Sequence, residues 1–328
     1  MILVILVASG ANAQDPHFSQ FFASPLTLNP ALTGRFDGTL RVAGNYRNQW
    51  PAFNNVFTTK TVSVDFPIMK KKLPENDTWG IGVLGLSDKA GGGILTNNYF
   101  GISTSYSKAL DENGYSQIGA GFQGTYGQKK LDNSKLFFQD QLTPFGFTGV
   151  SADIFSNDNL TINYIDIAAG VLYTGSTSDR NNYYAGVSMY HINKPKESFK
   201  GGTWNVSPRT TISAGGYFPL SDILTIHLSG IHQIQAKASE TSIGGAIAAS
   251  LNSDAVNPAN VYAGSWFRVN DAIIPYIGLE FSGMRIGASY DVNISSLKSG
   301  SESRGGMEIS LIYIKRPPDH SGIPCPKF

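Results

Sequence analysis

The sequence predicts an all-β protein, a transmembrane antiparallel up-and-down β-barrel of about 14 strands. Three observations carry that prediction. Side-chain character alternates with a period of 2 along most of the chain. The composition is poor in charge (15%) and rich in Gly (36), Tyr (15) and Phe (19). Connection lengths also differ between the two ends that such a barrel would have.

The alternation is clear in three segments. From Ser116 to Tyr126, Ile118, Ala120, Phe122 and Tyr126 share one face, while Gln117, Gly119, Gly121, Gln123 and Thr125 share the other. From Arg285 to Ile294, Ile286, Ala288, Tyr290, Val292 and Ile294 oppose Arg285, Gly287, Ser289, Asp291 and Asn293. A last strand places Met307, Ile309, Leu311 and Tyr313 on one side. One face meets an apolar medium and the other a polar one. The polar faces are rich in Gly, Ser, Thr and Asn, which suits a lumen better than the dry core of a sandwich.

Strand starts are expected near Thr39, Val56, Thr78, Leu95, Gly114, Asn163, Asn181, Val206, Asp222, Thr241, Ala259, Ala272, Gly283 and Gly305. The segments run about 9–15 residues, enough for a tilted membrane strand. The longest connections, near 128–162, 192–205 and 295–304, all follow odd-numbered strands. Connections after even strands are mostly short, apart from 69–77 and 251–258. With both ends periplasmic, the long set forms the outer loops.

Ile2 to Ala8 is an apolar run followed by Ala11-Asn12-Ala13, which reads as a signal peptide over 1–13 with the mature chain starting at Gln14, although no Lys or Arg precedes the run. Later, no stretch has the roughly 18 apolar residues of a membrane helix. A net charge of +1 gives no basic surface, so nucleic acid is not an expected partner. The single Cys, Cys325, excludes an internal disulfide. It lies in a Pro-punctuated tail, 317–328, expected in the periplasm and outside the ladder. The expected organisation is therefore signal peptide 1–13, periplasmic N-terminal segment 14–38, outer-membrane barrel 39–316 and periplasmic tail 317–328.

Two stretches stand out for their aromatic content. Asp15 to Gly34 reads DPHFSQFFASPLTLNPALTG, with three Pro, Phe at 18, 21 and 22, and no strand period. Because it precedes the first strand it is placed on the periplasmic side, where it can tuck into the barrel mouth or dock a partner. Tyr46-Arg47-Asn48-Gln49-Trp50 ends the first strand at the outer rim, where Tyr and Trp suit an aromatic girdle and Arg47 faces the lumen.

These blocks, with GASYDVNISSL at 287–297 and GGMEISLIY at 305–313, resemble the PorP/SprF family, outer-membrane proteins of the type IX secretion and gliding-motility machinery of Bacteroidota. The family often has a His before the Glu of the last strand, where this chain has Met307-Glu308, so no His-dependent role is carried across. The resemblance implies a barrel that works in export or surface attachment, without a cofactor. Its implied partners are outer-membrane lipids, a periplasmic peptidoglycan-associated lipoprotein and a secreted adhesin with a C-terminal sorting domain. Residues assigned to partner contact are Phe18, Phe21, Phe22, Asn29, Pro30, Tyr46, Arg47, Gln49, Trp50, Lys70, Lys71, Lys72, Tyr290 and Asp291.

Enzymatic readings find little support. His227 and Ser229 share a strand face but have no third group nearby in sequence, and they read as lumen lining. No His or Cys pair has metal-ligand spacing, and Gly91-Gly92-Gly93 lacks the phosphate-loop pattern. The non-enzymatic alternative is a transport channel for small hydrophobic molecules.

Overall fold

A computed structural model describes residues 15–53, 57–148, 151–152, 160–178, 181–199, 202–252, 258–296 and 298–316. The expected signal peptide, the tail from 317 and Cys325 lie outside the described residues. The barrel strands are β1 (Leu40–Gln49), β2 (Phe57–Ile68), β3 (Thr78–Ala90), β4 (Leu95–Ala109), β5 (Ser116–Leu131), β6 (Leu160–Gly175) and β7 (Asn182–Tyr190). They continue as β8 (Arg209–Pro219), β9 (Leu224–Gln235), β10 (Ala238–Ser250), β11 (Asn260–Arg268), β12 (Ala272–Phe281), β13 (Met284–Asn293) and β14 (Arg304–Lys315). Each pairs antiparallel with its sequence neighbours, and β1 pairs with β14 from Leu40↔Lys315 to Gln49↔Gly306. The sheet is thus a closed barrel of 14 strands, and all the predicted starts fall within three residues of the observed ones.

Closure leaves no free strand edge, so every wall strand pairs on both sides. The period-2 alternation then sorts side chains cleanly. In β5 the buried positions are Gln117, Gly119, Gly121, Gln123, Thr125 and Gly127, and the exposed ones include Ile118 and Phe122. In β14 Met307, Ile309, Leu311 and Tyr313 point outward, while Glu308 and Ser310 are buried in the lumen. Phe100, Ile102, Phe122, Ile165 and Ile277 belong to the same outward apolar belt, the face that a bilayer covers. No helix among the described residues is long and apolar enough to cross a membrane.

Strand direction defines two ends. The terminal end carries the start of β1 and the finish of β14; the loop end lies opposite. The three longest loop-end connections are 132–159, 191–208 and 294–303, as their length predicted. The first contains a small hairpin, Leu142–Thr143 paired with Gly146–Phe147. Two loop-end connections are tight instead. Ala236-Lys237 turns with both φ values positive (50° and 71°), the geometry of a two-residue hairpin, and 269–271 is three residues long.

Candidate functional site

The barrel's interior is occupied by the chain's own start. Residues 15–38 form three short turns, Phe21–Ala23, Pro25–Leu28 and Pro30–Leu32, and run the length of the lumen. Pro25 and Pro30 open the second and third turns, where a missing N–H costs nothing, and the Asn29 side chain accepts from Ala31 N to cap the third.

Asp15 lies at the loop end. Its carboxylate is 2.7 Å from His191 Nε2 and 3.4 Å from Arg209 Nη1, and its N–H donates to Gln235 Oε1 at 2.7 Å. His191 follows directly on β7. Burial opposes a charge on its ring, but Asp15 and Asp166 outweigh that and hold its pKa at about 9.

Four residues on, Ser19 sits in a buried charged cluster. Its hydroxyl donates to Asp291 Oδ1 at 2.7 Å and accepts from Arg47 Nη1 at 2.5 Å and Arg268 Nη2 at 2.6 Å. Its backbone N–H donates to Glu308 Oε2 at 2.8 Å. Asp291 also receives Arg47 Nη2 at 2.9 Å and Arg268 Nη2 at 3.0 Å. The Gln20 amide reaches Ser289 Oγ, the Glu308 carbonyl and Ser310 Oγ. Each buried charge here has an opposite charge or strong hydrogen-bond partner, which burial requires.

Toward the terminal end the segment presses on the wall itself. The backbone of Thr33 lies so close to Gly80 that an added Cβ would stand 2.1 Å from the Thr33 oxygen. At Gly121 an added Cβ would meet Pro30 backbone at 2.3 Å. Only a residue without a side chain permits such approach. Asp65 accepts from Arg41 Nε at 3.0 Å, Arg41 Nη2 at 2.8 Å and Gly34 N at 2.7 Å, while Arg41 also donates to the Leu32 carbonyl. Arg35 donates to Gln117 and Thr174. The segment is thus tied to the wall at both ends and along its middle.

This placement corrects one expectation. The segment does not stay on the side from which β1 starts; it traverses the barrel, and Asp15 emerges at the opposite end. A partly apolar lumen face accounts for that path. Phe21, Leu28, Ala31 and Leu32 pack in one cluster with Leu172, Tyr184, Trp266, Ile274 and Tyr276, burying apolar area that would otherwise stay wet. Phe18, Phe21, Asn29 and Pro30 are buried and Phe22 half-buried, stacked on Trp266 at 4.7 Å. None of these five presents a free surface to a partner while the segment is in place.

The other predicted contact residues divide by face. Arg47 and Asp291 meet in the charged cluster. Tyr46 points outward, with Lys60 Nζ 5.6 Å from its ring centre. Gln49 ends β1, and Trp50, with φ of 54°, packs edge-on against Phe57. Tyr290 is exposed on the outer wall. Lys70, Lys71 and Lys72 lie exposed in the turn after β2, and Lys70 reaches the Gly38 carbonyl at 3.2 Å. Ser19, Gln20, Arg41, Asp65, Arg268 and Glu308 were not anticipated. Their signal was available: a charge or amide at a lumen-facing position of an otherwise Gly/Ser/Thr face needs a partner inside.

His227 and Ser229 line the lumen as expected. The His227 ring stacks near Tyr217, and Ser229 Oγ accepts from Trp266 Nε1 at 3.0 Å. No group of three potential metal ligands occurs among the described residues.

Residues 10–313 match the family model described as type IX secretion system membrane protein PorP/SprF. No curated protein matches the chain. Among solved structures, the Pseudomonas putida toluene transporter TodX superposes with a TM-score of 0.50 at 11% identity, covering 89% of this chain and 93% of that one. A Pseudomonas aeruginosa FadL homologue gives 0.46 at 11% identity, with 87% and 92% covered. At that identity the likeness to TodX is one of barrel fold alone.

Proposed function

We propose, starting from the fact that the chain belongs to the PorP/SprF family of type IX secretion system membrane proteins, that it is a non-enzymatic outer-membrane barrel that joins partners at its two ends. The loop end, facing outward, receives an exported adhesin through its C-terminal sorting domain. The terminal end, in the periplasm, meets a peptidoglycan-associated lipoprotein, with Lys70–Lys72 in that contact.

The observation that supports this reading is the tethered segment. A lumen crossed by residues 15–38, with Ser19 and Asp65 in buried networks, is poorly suited to free flow and leaves the two rims as working surfaces. The long connections concentrate accessible side chains at the loop end, among them Phe145 and Trp204. In a bilayer the Tyr290 face would lie against lipid, whereas Asp291 would act only through the segment it holds.

The test is a mild-detergent pull-down of the tagged barrel from its native membrane, with mass spectrometry. Co-recovery of a periplasmic lipoprotein and a large surface protein is expected. Shortening the 132–159 loop should remove the surface protein and keep the lipoprotein; replacing Lys70–Lys72 by Ser should do the reverse. Recovery of the barrel alone would defeat the proposal.

A further inference from the structure

Inside the wall no strand edge is free, but one strand outruns its neighbour above it. β5 and β6 have 16 residues each and pair over their full length, from Leu131↔Leu160 to Ser116↔Gly175. β7 has 9 residues and covers β6 only from Ala169 to Gly175. The residues after β7 extend that cover a little. Ile192 N donates to Ile167 O at 3.0 Å, Asn193 Nδ2 donates to Ile165 O at 2.7 Å, and Ile167 N donates to Asn193 Oδ1 at 3.1 Å. The chain then leaves β6. Lys194 turns with φ of 46°, and residues 195–206 close on themselves through Glu197 N to Trp204 O and Val206 N to Pro195 O. Glu197 pairs with Lys129 of β5.

The loop-end stretch of β6 from Thr161 to Ile165 is therefore paired with β5 on one edge and open on the other. Alternate residues of a strand aim their N–H and C=O groups at the same edge. Ile165 and Ile167 aim theirs at residues 191–193, so Thr161 and Asn163 aim theirs along that same edge. Among the described residues, no group bonds there to the backbone of Thr161 or Asn163, or to Ile165 N. The outer face changes character as well. Thr161 and Asn163 are exposed and polar, whereas Ile165 and Ile167 are exposed and apolar, so the upper part of the stretch stands above the bilayer belt. Ile162 is half-buried on the other face. Lys130, opposite Thr161 on β5, and Lys194 and Lys196, just past the end of the edge, are exposed and form no ion pair among the described residues.

We propose that this edge docks an acidic, extended strand of an exported protein, added to the sheet beside β6. A row of unpaired backbone groups is a template for another strand. A strand laid there sets one row of side chains beside Ile162 and the other beside Thr161 and Asn163. Apolar residues suit the first row; Asp or Glu suits the second, with three lysines flanking it. A second copy of this chain does not fit. Barrel strands tilt by about 35–45°, and two copies related by an axis along the membrane normal would cross their β6 edges at about twice that angle. The proposal rests on the reading that the loop end receives an exported protein, and it supplies the chemistry of that contact.

The test uses the full-length barrel in detergent and two labelled, end-blocked hexapeptides, one alternating Glu and Val, the other Lys and Val. Fluorescence anisotropy and hydrogen exchange are the readouts. The Glu-Val peptide should bind saturably, about tenfold more tightly than the Lys-Val peptide, and should slow exchange at Thr161, Asn163 and Ile165. Asn163→Pro removes an N–H from the open edge and no backbone bond to β5, and should abolish binding; Asn163→Ala keeps that N–H and should bind as wild type does. Lys130→Glu combined with Lys194→Glu should reverse the peptide preference, which decides the matter should Asn163→Pro fail to assemble. Lysines that only guard the edge would leave both peptides unbound, and that result would overturn the proposal, as would equal affinity for the two peptides or unchanged exchange at the three amides. Unbound peptides with a successful pull-down would reject the strand site alone. A bound Glu-Val peptide with the barrel recovered alone would reject the partner reading alone.

Discussion

The two sides of this lumen are built from different residues. Along β2–β6 the inward face is rich in Gly, Ser and Thr, with Gly80 and Gly121 in backbone contact with the segment and Ser105 donating to the Thr33 carbonyl at 2.6 Å. Along β8–β12 it carries rings, Tyr217, His227, Tyr262, Trp266 and Tyr276. The first wall is cut away so that another chain can lie on it; the second fills space from its own side. Small residues in a barrel face therefore mark where something already lies. Large rings mark where the barrel does its own filling.

Breaking the packed side should cost most. Asp65→Ala strands Arg41 in a buried site and removes the Gly34 acceptor, and a loss of about 3–5 kcal/mol is expected. Urea titration followed by the mobility shift of unheated barrel on gels would measure it. Gly80→Ala drives a methyl into the Thr33 backbone and should cost about 3 kcal/mol, with new trypsin cleavage after Arg35 as the segment lifts. Gly124→Ala, which meets open space on the same strand as Gly121, should change stability by no more than about 0.5 kcal/mol. Equal effects of the two substitutions would erase the distinction between cut-away and ordinary glycine.

The loop-end tether gives a smaller, pH-dependent effect. His191 faces Asp15, Asp166 and, through Asp15, Arg209. Its pKa is raised from 6.5 to about 9, so its contribution is complete below pH 6.5 and fades as pH rises through 9. Hydrogen exchange at residues 15–19 should therefore quicken between pH 7 and pH 9 more in wild type than in His191→Gln. Smallest of all, Ser229→Ala on the ringed side removes one acceptor from Trp266 Nε1 and should cost about 1 kcal/mol by the same urea titration.

The barrel itself was legible because its cause is local. A strand between lipid and lumen must alternate, and Ile118/Gln117 or Ile309/Glu308 declare that within a few residues. The segment's path was not, because its partners are scattered. Ser19 meets Asp291, Glu308, Arg47 and Arg268, positions that only barrel closure brings together. Arg47 was readable as lumen-facing from its alternation with Tyr46, but its carboxylate partners, Asp291 and Glu308, lie 244 and 261 residues away.

The contacts of Gln20 have a consequence for biogenesis. Its amide bonds to Ser289 on β13 and to Glu308 and Ser310 on β14, the last strands to leave the ribosome, and β14 is the strand that zips onto β1. Residues that precede the first strand thus form a jig for the last ones. When the closing hairpin arrives, its inward side chains meet amide and backbone groups whose spacing fits only one register. A slip of one residue would swing Glu308 toward lipid and bring Met307 to the charged cluster, so the opening of the polypeptide proofreads its own end.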